Sequence, residues 1–207
     1  MIDVVNFQNR DMFGNMLNQM WQQRSDVFVE KLGWDLPLTD GKEIDQYDDD
    51  RPTYLLANDD GKTVTGSLRI LPTETGHLMT DLFPEMCAGT PPVGPNIWEI
   101  SRFYVLPPTL RPKDRVKAAA EVLSGMVELA LLYDIEQVTM VSYMANMPLI
   151  VGLGFDVMPL GLPTQYADGN TYVASAINIT AAGLQNVRDK HGITDSVLCL
   201  GRVPIAA

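Results

Sequence analysis

Soft metal ligands and disulfide partners are scarce in this chain: 207 residues hold two cysteines and two histidines. Cys87, Cys199, His77 and His191 stand at no ligand spacing, which argues against a zinc centre or a disulfide framework. Free thiols suit a reducing compartment. Long hydrophobic runs are missing too, since no stretch approaches the roughly 20 apolar residues that span a bilayer. The opening MIDVVNFQNR has neither the basic start nor the apolar run of an export signal, so a cytoplasmic location with no membrane partner is expected. Positive charge is the third scarcity. With 15 Lys and Arg against 26 Asp and Glu, the net charge is -11. A general nucleic-acid binder is excluded, because phosphate affinity rests on clustered cations.

What is present is an ordinary globular balance, 46% hydrophobic and 20% charged, without internal repeat or low-complexity linker. A single domain over residues 1–207 is expected. Phe13, Met16, Leu17, Met20, Val27 and Phe28 recur at helical spacing and predict one amphipathic helix from about Asp11 to Lys31. A long acidic loop, LPLTDGKEIDQYDDDRP, follows Gly33. TYLLA, NDDG and KTVTGSLRIL read as a β-hairpin. Beyond it come a short helix around HLMTDLFPEM, a strand in NIWEISRFYV, and a basic turn with a helix in LPPTLRPKDRVKAAAEVLSGMVELALLYD. EQVTMVSYM, FDVMPLG and TYVASAIN read as strands, ANMPLIVGLG as a short helix, and TAAGLQNVRDKHG as a last helix stopped by Gly192. This order predicts a mixed, twisted sheet with helices on both faces.

NIWEISRFYV carries two charges where a buried strand should carry none without partners. At period 2, Ile97, Glu99, Ser101, Phe103 and Val105 share one face and Trp98, Ile100, Arg102 and Tyr104 the other. Glu99 and Arg102 therefore need separate partners. Arg24 raises the same question on the helix stripe: either it snorkels to the surface or it faces an anionic partner inside. Glu43, Asp45, Asp48, Asp49 and Asp50 crowd the acidic loop, where Asp49 and Asp50 read as solvated. A calcium loop needs a central Gly and a terminal Glu that DQYDDDRPTYLL lacks, so no metal is expected. Acidic side chains near Arg24, Arg69 and Arg102 would form either a purely structural network or a mixed-sign site for a zwitterionic ligand.

Arg24, Phe28 and Trp34 fill the pattern R-x3-F-x5-W; EIDQYD supplies Glu43, Asp45 and Asp48; GSLRILPT supplies Arg69, LFP supplies Phe83, and IWEISRFYV supplies Glu99 and Arg102. In this order the motifs resemble the acyl-homoserine lactone synthases of LuxI type, which make quorum-sensing autoinducers. The resemblance runs from Arg24 to about Phe155. It implies a fold like that of GCN5-related N-acetyltransferases: α/β (α+β), a mixed sheet flanked by helices in three α-β-α layers, with a splayed strand pair opening an acyl-pantetheine tunnel. It also implies acyl transfer to S-adenosylmethionine, a substrate rather than a cofactor, so that no cofactor is expected. The implied donor is an acyl group on acyl carrier protein. Acetyl-CoA-dependent members of the fold carry a Q/R-x-x-G-x-G/A phosphate loop where this chain reads LPPTLRPKDRVK without glycine, which disfavours CoA. Arg111, Lys113, Arg115 and Lys117 are either a solvated helix start or a docking surface for the acidic carrier.

Roles follow from the resemblance residue by residue. Glu99 would accept the proton of the substrate amine through water, with Asp45 as runner-up. Asp45 and Asp48 would pair with Arg69 and Arg102 to hold the acidic loop closed. Arg24 would bind the methionyl carboxylate, and Phe28 and Trp34 would pack on adenosine and sulfonium. The backbone near Phe103 would supply oxyanion donors. Met79, Phe83, Ser101, Met126, Met140, Ser142 and Met144 would line the acyl pocket, although methionines at these positions read equally as plain core. Met140 stands where makers of 3-oxo products tend to have Thr, which with Ser142 implies a 3-hydroxy or unsubstituted chain. Two other readings are an acyl-CoA-dependent N-acyltransferase acting on another amine and a catalytically silent ligand-binding domain. Release of methylthioadenosine separates all three.

Overall fold

The computed structural model of the chain describes residues 1–106 and 111–200. Pro107 to Leu110 of the basic turn and the tail from Gly201 lie outside the described residues. Along the chain the elements are β1 (Ile2–Val5), α1 (Gly14–Arg24), β2 (Leu38–Thr39), β3 (Lys42–Glu43), β4 (Thr53–Asn58), β5 (Val64–Pro72), α2 (Leu78–Leu82) and β6 (Ile97–Val105). They continue with α3 (Pro112–Leu132), β7 (Gln137–Tyr143), α4 (Met147–Leu153), β8 (Val157–Pro159), β9 (Thr164–Gln165), β10 (Thr171–Asn178), α5 (Ala181–His191) and β11 (Leu198–Cys199). These elements form two compact units: residues 1–69, 102–122 and from 197 on, and residues 70–101 with 123–196.

In the first unit β1 pairs parallel with β11 and antiparallel with β4, from Ile2↔Ala57 to Val5↔Tyr54. Phe13, Met16, Leu17 and Met20 of the N-terminal helix bury against Val5, Tyr54, Leu56 and Val64. At a typical 1.5–3 kcal/mol for each fully buried large side chain, this stripe holds the helix on the sheet. The single helix expected from Asp11 to Lys31 is instead three pieces: a 3-10 turn at Arg10–Phe13, α1, and a wider π turn at Ser25–Lys31. In the π turn Leu32 N–H donates to the Val27 carbonyl at 3.1 Å, five residues back. Gly33 at φ 69° then reverses the chain, so that Trp34 N–H reaches the Phe28 carbonyl at 2.9 Å. That stop sets the Trp34 ring on the Phe28 ring, 5.0 Å between centroids.

The acidic loop is also more regular than expected. Asp40 at φ 51° and Gly41 at φ 78° make the two-residue turn of a small hairpin, with Leu38 opposite Glu43. The hairpin delivers Glu43 to a fully buried position.

In the second unit β6 pairs parallel with β7 over Ile97–Glu99 and Gln137–Thr139. Antiparallel β10 lies on the other side of β7 and pairs in turn with β8 and β9. Helix α5 starts where Thr180 Oγ1 accepts from Gly183 N–H at 2.9 Å, and ends at Gly192 in the left-handed region, as expected. A mixed sheet flanked by helices is thus the observed architecture, with β5, β6 and α3 each running from one unit into the other. Among the described residues no helix is long and apolar enough to cross a membrane.

Candidate functional site

The first unit's charged residues close into a ring. Arg24 Nε meets Glu43 Oε2 at 2.5 Å, Glu43 Oε1 meets Arg102 Nη2 at 2.9 Å, and Arg102 Nη2 meets Asp45 Oδ2 at 2.9 Å. Asp45 Oδ1 meets Arg69 Nη1 at 2.5 Å, Arg69 Nη1 meets Asp48 Oδ1 at 3.0 Å, and Asp48 Oδ1 returns to Arg24 Nη1 at 2.8 Å. Three guanidiniums and three carboxylates alternate, so the ring is neutral although nearly buried. Arg24–Asp48, Arg69–Asp45 and Arg102–Glu43 are two-bond pairs, the geometry that a planar guanidinium suits best. Burial alone would push the carboxyls of Glu43 and Asp48 up; contacts with Arg102 and Arg24 for Glu43, and with Arg24 and Arg69 for Asp48, outweigh it and hold both below the usual carboxylate range. The same balance raises Arg24 and Arg69 above their ordinary values against the pull of desolvation.

Of Arg24's two readings, the internal anionic partner is the observed one. Its guanidinium is spent on Glu43 and Asp48 and has no exposed surface, so as it stands it has no face for a ligand carboxylate. Asp48 pairs with Arg24 and Arg69 rather than with Arg69 and Arg102, because Glu43 and Asp45 already occupy Arg102. Asp49 and Asp50 lie outside the ring on Arg51 and Arg10, exposed as expected. Two side chains of the ring reach solvent, Arg102 at 7% and Asp45 at 10%; the other four stand at zero. Arg102 adopts φ 53°, a left-handed conformation inside a strand that costs about 1–3 kcal/mol in a non-glycine residue and persists when its surroundings fix it. Its guanidinium carbon sits 5.7 Å from the Phe28 ring centroid and 5.9 Å from that of Trp34. Phe103 follows it, half-buried.

Two phenols that sequence reasoning passed over brace this unit. Tyr104 OH donates to Gln23 Oε1 at 2.8 Å, and Tyr54 OH donates to Asp48 Oδ1 at 2.7 Å, which together with burial keeps the Tyr54 phenol protonated far above its ordinary value. Tyr54→Phe is expected to lower stability by about 1.5–3 kcal/mol, the range for a hydrogen bond to a buried charge, read from urea melts of both proteins.

In the second unit Glu99 is 1% exposed and anchors the start of α2: Oε2 accepts Leu78 N–H at 2.8 Å and Oε1 accepts Met79 N–H at 2.7 Å. His77 Nδ1 lies 3.1 Å from Oε1. Met79 joins Met86 and Ala174 in a buried cluster flanked by Phe83, Cys87, Val141, Leu160, Tyr166 and Tyr172. Of the expected pocket residues, Met79 and Phe83 thus come together; Met126 and Met140 are buried outside this cluster, and Ser101 and Ser142 are half-buried. Ser142 Oγ donates to the Tyr143 carbonyl at 3.1 Å. Met144, 44% exposed, does not join them. Arg111, Lys113, Arg115 and Lys117 are all exposed, with Arg111 on Asp114 at 2.7 Å and Lys117 on Glu121 at 3.7 Å. Among the described residues no group of acidic, histidine and cysteine side chains could hold a metal ion.

Comparison with known proteins identifies the family. The chain is 33% identical over 201 residues to the isovaleryl-homoserine lactone synthase of Bradyrhizobium diazoefficiens, across 95% of this chain and 88% of that one. BjaI, a CoA-dependent acyl-homoserine lactone synthase solved with SAM and isopentyl-CoA, superposes with a TM-score of 0.87 at 31% identity, across 96% of this chain and 92% of its own. An N-acetyltransferase from Lactobacillus plantarum shares the fold at 12% identity, with a TM-score of 0.58 across 86% of this chain and 99% of its own. A family model for autoinducer synthases matches residues 8–174, and with the ring and Glu99 inside that span the chain belongs to the autoinducer synthase family, acyltransferases that make acyl-homoserine lactones.

Proposed function

We propose that the chain joins an acyl group to the amine of S-adenosylmethionine and then closes the lactone with release of methylthioadenosine. The observation that carries this reading is the ionic ring, which offers a ligand one carboxylate and one guanidinium side by side: Asp45 and Arg102, 2.9 Å apart. These suit the ammonium and carboxylate of an amino acid, and the half-buried Trp34 ring on Phe28 supplies a π face for the sulfonium. Arg24, Glu43, Asp48 and Arg69 then serve as the frame that holds the two members reaching solvent in place. BjaI, solved with SAM, supports the choice of ligand.

The amine nitrogen attacks the thioester carbonyl, loses a proton, and expels the thiol. The methionyl carboxylate then attacks the γ-carbon, and the C–S bond breaks with its electron pair passing to the sulfonium sulfur. Orientation dominates the first step, since a free α-amino group of pKa about 7.7–8.0 is already partly neutral near pH 7.5.

For the donor, a CoA thioester comes first, supported by the likeness to CoA-dependent BjaI. The glycine-free turn argues less strongly than it did from sequence, because exposed Lys113 and Arg115 can meet phosphates without a backbone cradle. The same cations favour a second reading, an acyl carrier protein docked by charge. The test supplies S-adenosylmethionine with isovaleryl-CoA or with isovaleryl carrier protein, and follows methylthioadenosine and lactone together. Equal yields of the two products from one donor are expected, and a chain that releases no methylthioadenosine with either thioester sinks the reading.

A further inference from the structure

His77 is a buried polar group of the second unit that the reaction as written leaves unused. It is fully buried, its Nδ1 stands 3.1 Å from Glu99 Oε1 but out of line for a full hydrogen bond, and its Nε2 has no hydrogen-bond partner among the described residues. A buried imidazole nitrogen without a partner calls for an explanation. The backbone of His77 is fixed, since its N–H donates to Thr80 Oγ1 at 3.3 Å and its carbonyl accepts from that hydroxyl at 3.0 Å. Glu99 is fixed as well, each oxygen already holding a backbone N–H.

We propose that His77 is the proton carrier of acyl transfer, working at Nε2, and that Glu99 is the carboxylate that orients it. The proposal rests on the synthase reading given above. A carboxylate beside Nδ1 draws the ring proton to that nitrogen and leaves the lone pair on Nε2. Glu99, with one backbone N–H on each oxygen, is suited to hold; Nε2, without a partner, has free capacity to accept. The amine attacks the thioester carbonyl and its N–H proton passes to Nε2. The C–S bond breaks with its electron pair on sulfur, and the proton returns from Nε2 to the leaving thiolate. Amide and thiol result, and the imidazole ends as it began. Among the described residues the charged group within ion-pair distance of the ring is Glu99. Asp81, on the same helix, accepts from Thr80 Oγ1 at 3.1 Å, and Thr139, opposite Glu99 on β7, is uncharged and gives its hydroxyl to the Trp98 carbonyl.

The test is His77→Asn, which keeps an N–H near the Nδ1 position and leaves nothing at Nε2. Amide formation is expected to fall roughly tenfold to a hundredfold at pH 7, with the deficit narrowing as the amine deprotonates by itself at higher pH. A uniform loss at every pH would mark a structural role and overturn the proposal, as would wild-type activity. A second measurement needs no activity: ¹⁵N spectra of the wild-type imidazoles, with the His77→Asn spectrum separating His191. A proton on Nδ1 of His77 is expected, and an Nε2–H tautomer overturns the pair. A wild-type chain that releases no methylthioadenosine would sink the synthase reading, while the tautomer would still decide the orientation of His77 by Glu99.

Discussion

Replacing Glu43 with glutamine is expected to cost about 3–5 kcal/mol of folding free energy, the range for removing one partner from a buried ionic group. Glu43 is shared: one oxygen takes Arg24 Nε and Arg102 Nε, the other Arg102 Nη2. Without its charge the ring holds three buried cations against two anions, and neither Arg24 nor Arg102 has another carboxylate free to replace it. A chain of this size should lose roughly 6–20 °C in melting temperature. Asp50→Asn, at an exposed pair with Arg10, is the control and should melt like the wild type. A Glu43→Gln melting point within about 2 °C of wild type would show that the ring adds nothing to the fold.

The pH dependence gives the same prediction a second arm. Glu43 and Asp48 titrate below their unfolded values in the folded chain. Their stabilisation is therefore fully present above the unfolded carboxylate range of about 3.9–4.3 and is lost as pH falls through that range toward the folded values. Wild-type stability should drop steeply in acid below about pH 4.5, and Glu43→Gln, with one such carboxylate fewer, should show a shallower slope in urea melts taken across that window.

How much of this was legible in the sequence depends on whether a signal was local. The helix stripe placed Arg24 among buried residues because the spacing of Met16, Met20 and Phe28 is local. Which carboxylate it meets was not legible: that depends on where the β2–β3 hairpin carries Glu43, and the Asp40–Gly41 turn signal lay inside what read as an acidic loop. The π turn has no signature in a three-four pattern, since it shifts the register only after Arg24. IDVV is too short to show alternation and becomes β1 by pairing with β4 and β11, both distant in sequence. The face count along NIWEISRFYV was sound as far as Ser101; the left-handed Arg102 breaks period 2 at that point. Separate partners for Glu99 and Arg102 nonetheless held, because that argument rested on charge burial. His77 gave no signal, being a histidine before a five-residue helix, where Ser, Thr, Asp or Asn would have marked a cap.

Glu99→Gln is expected to lower methylthioadenosine release by roughly tenfold to a hundredfold, the span for losing a carboxylate that orients a working imidazole. From sequence, glutamine looks like a silent isostere that removes charge and keeps the fold. The structure changes that expectation. Each Glu99 oxygen faces a backbone N–H, from Leu78 and from Met79, so whichever way the new amide turns, its NH₂ points at a donor. The clash should cost about 1–3 kcal/mol, concentrated at the first turn of α2. Loss of activity should therefore be accompanied by faster hydrogen exchange at the Leu78 and Met79 amides, while amides of the first unit's core strands such as Leu55 and Leu56 stay protected. Glu99→Asp separates the two effects, because it keeps the charge and withdraws it by one methylene. Slow exchange at Leu78 and Met79 with activity lost would assign Glu99 to orienting His77 alone, and fast exchange with activity kept would make it an anchor of α2 and nothing more.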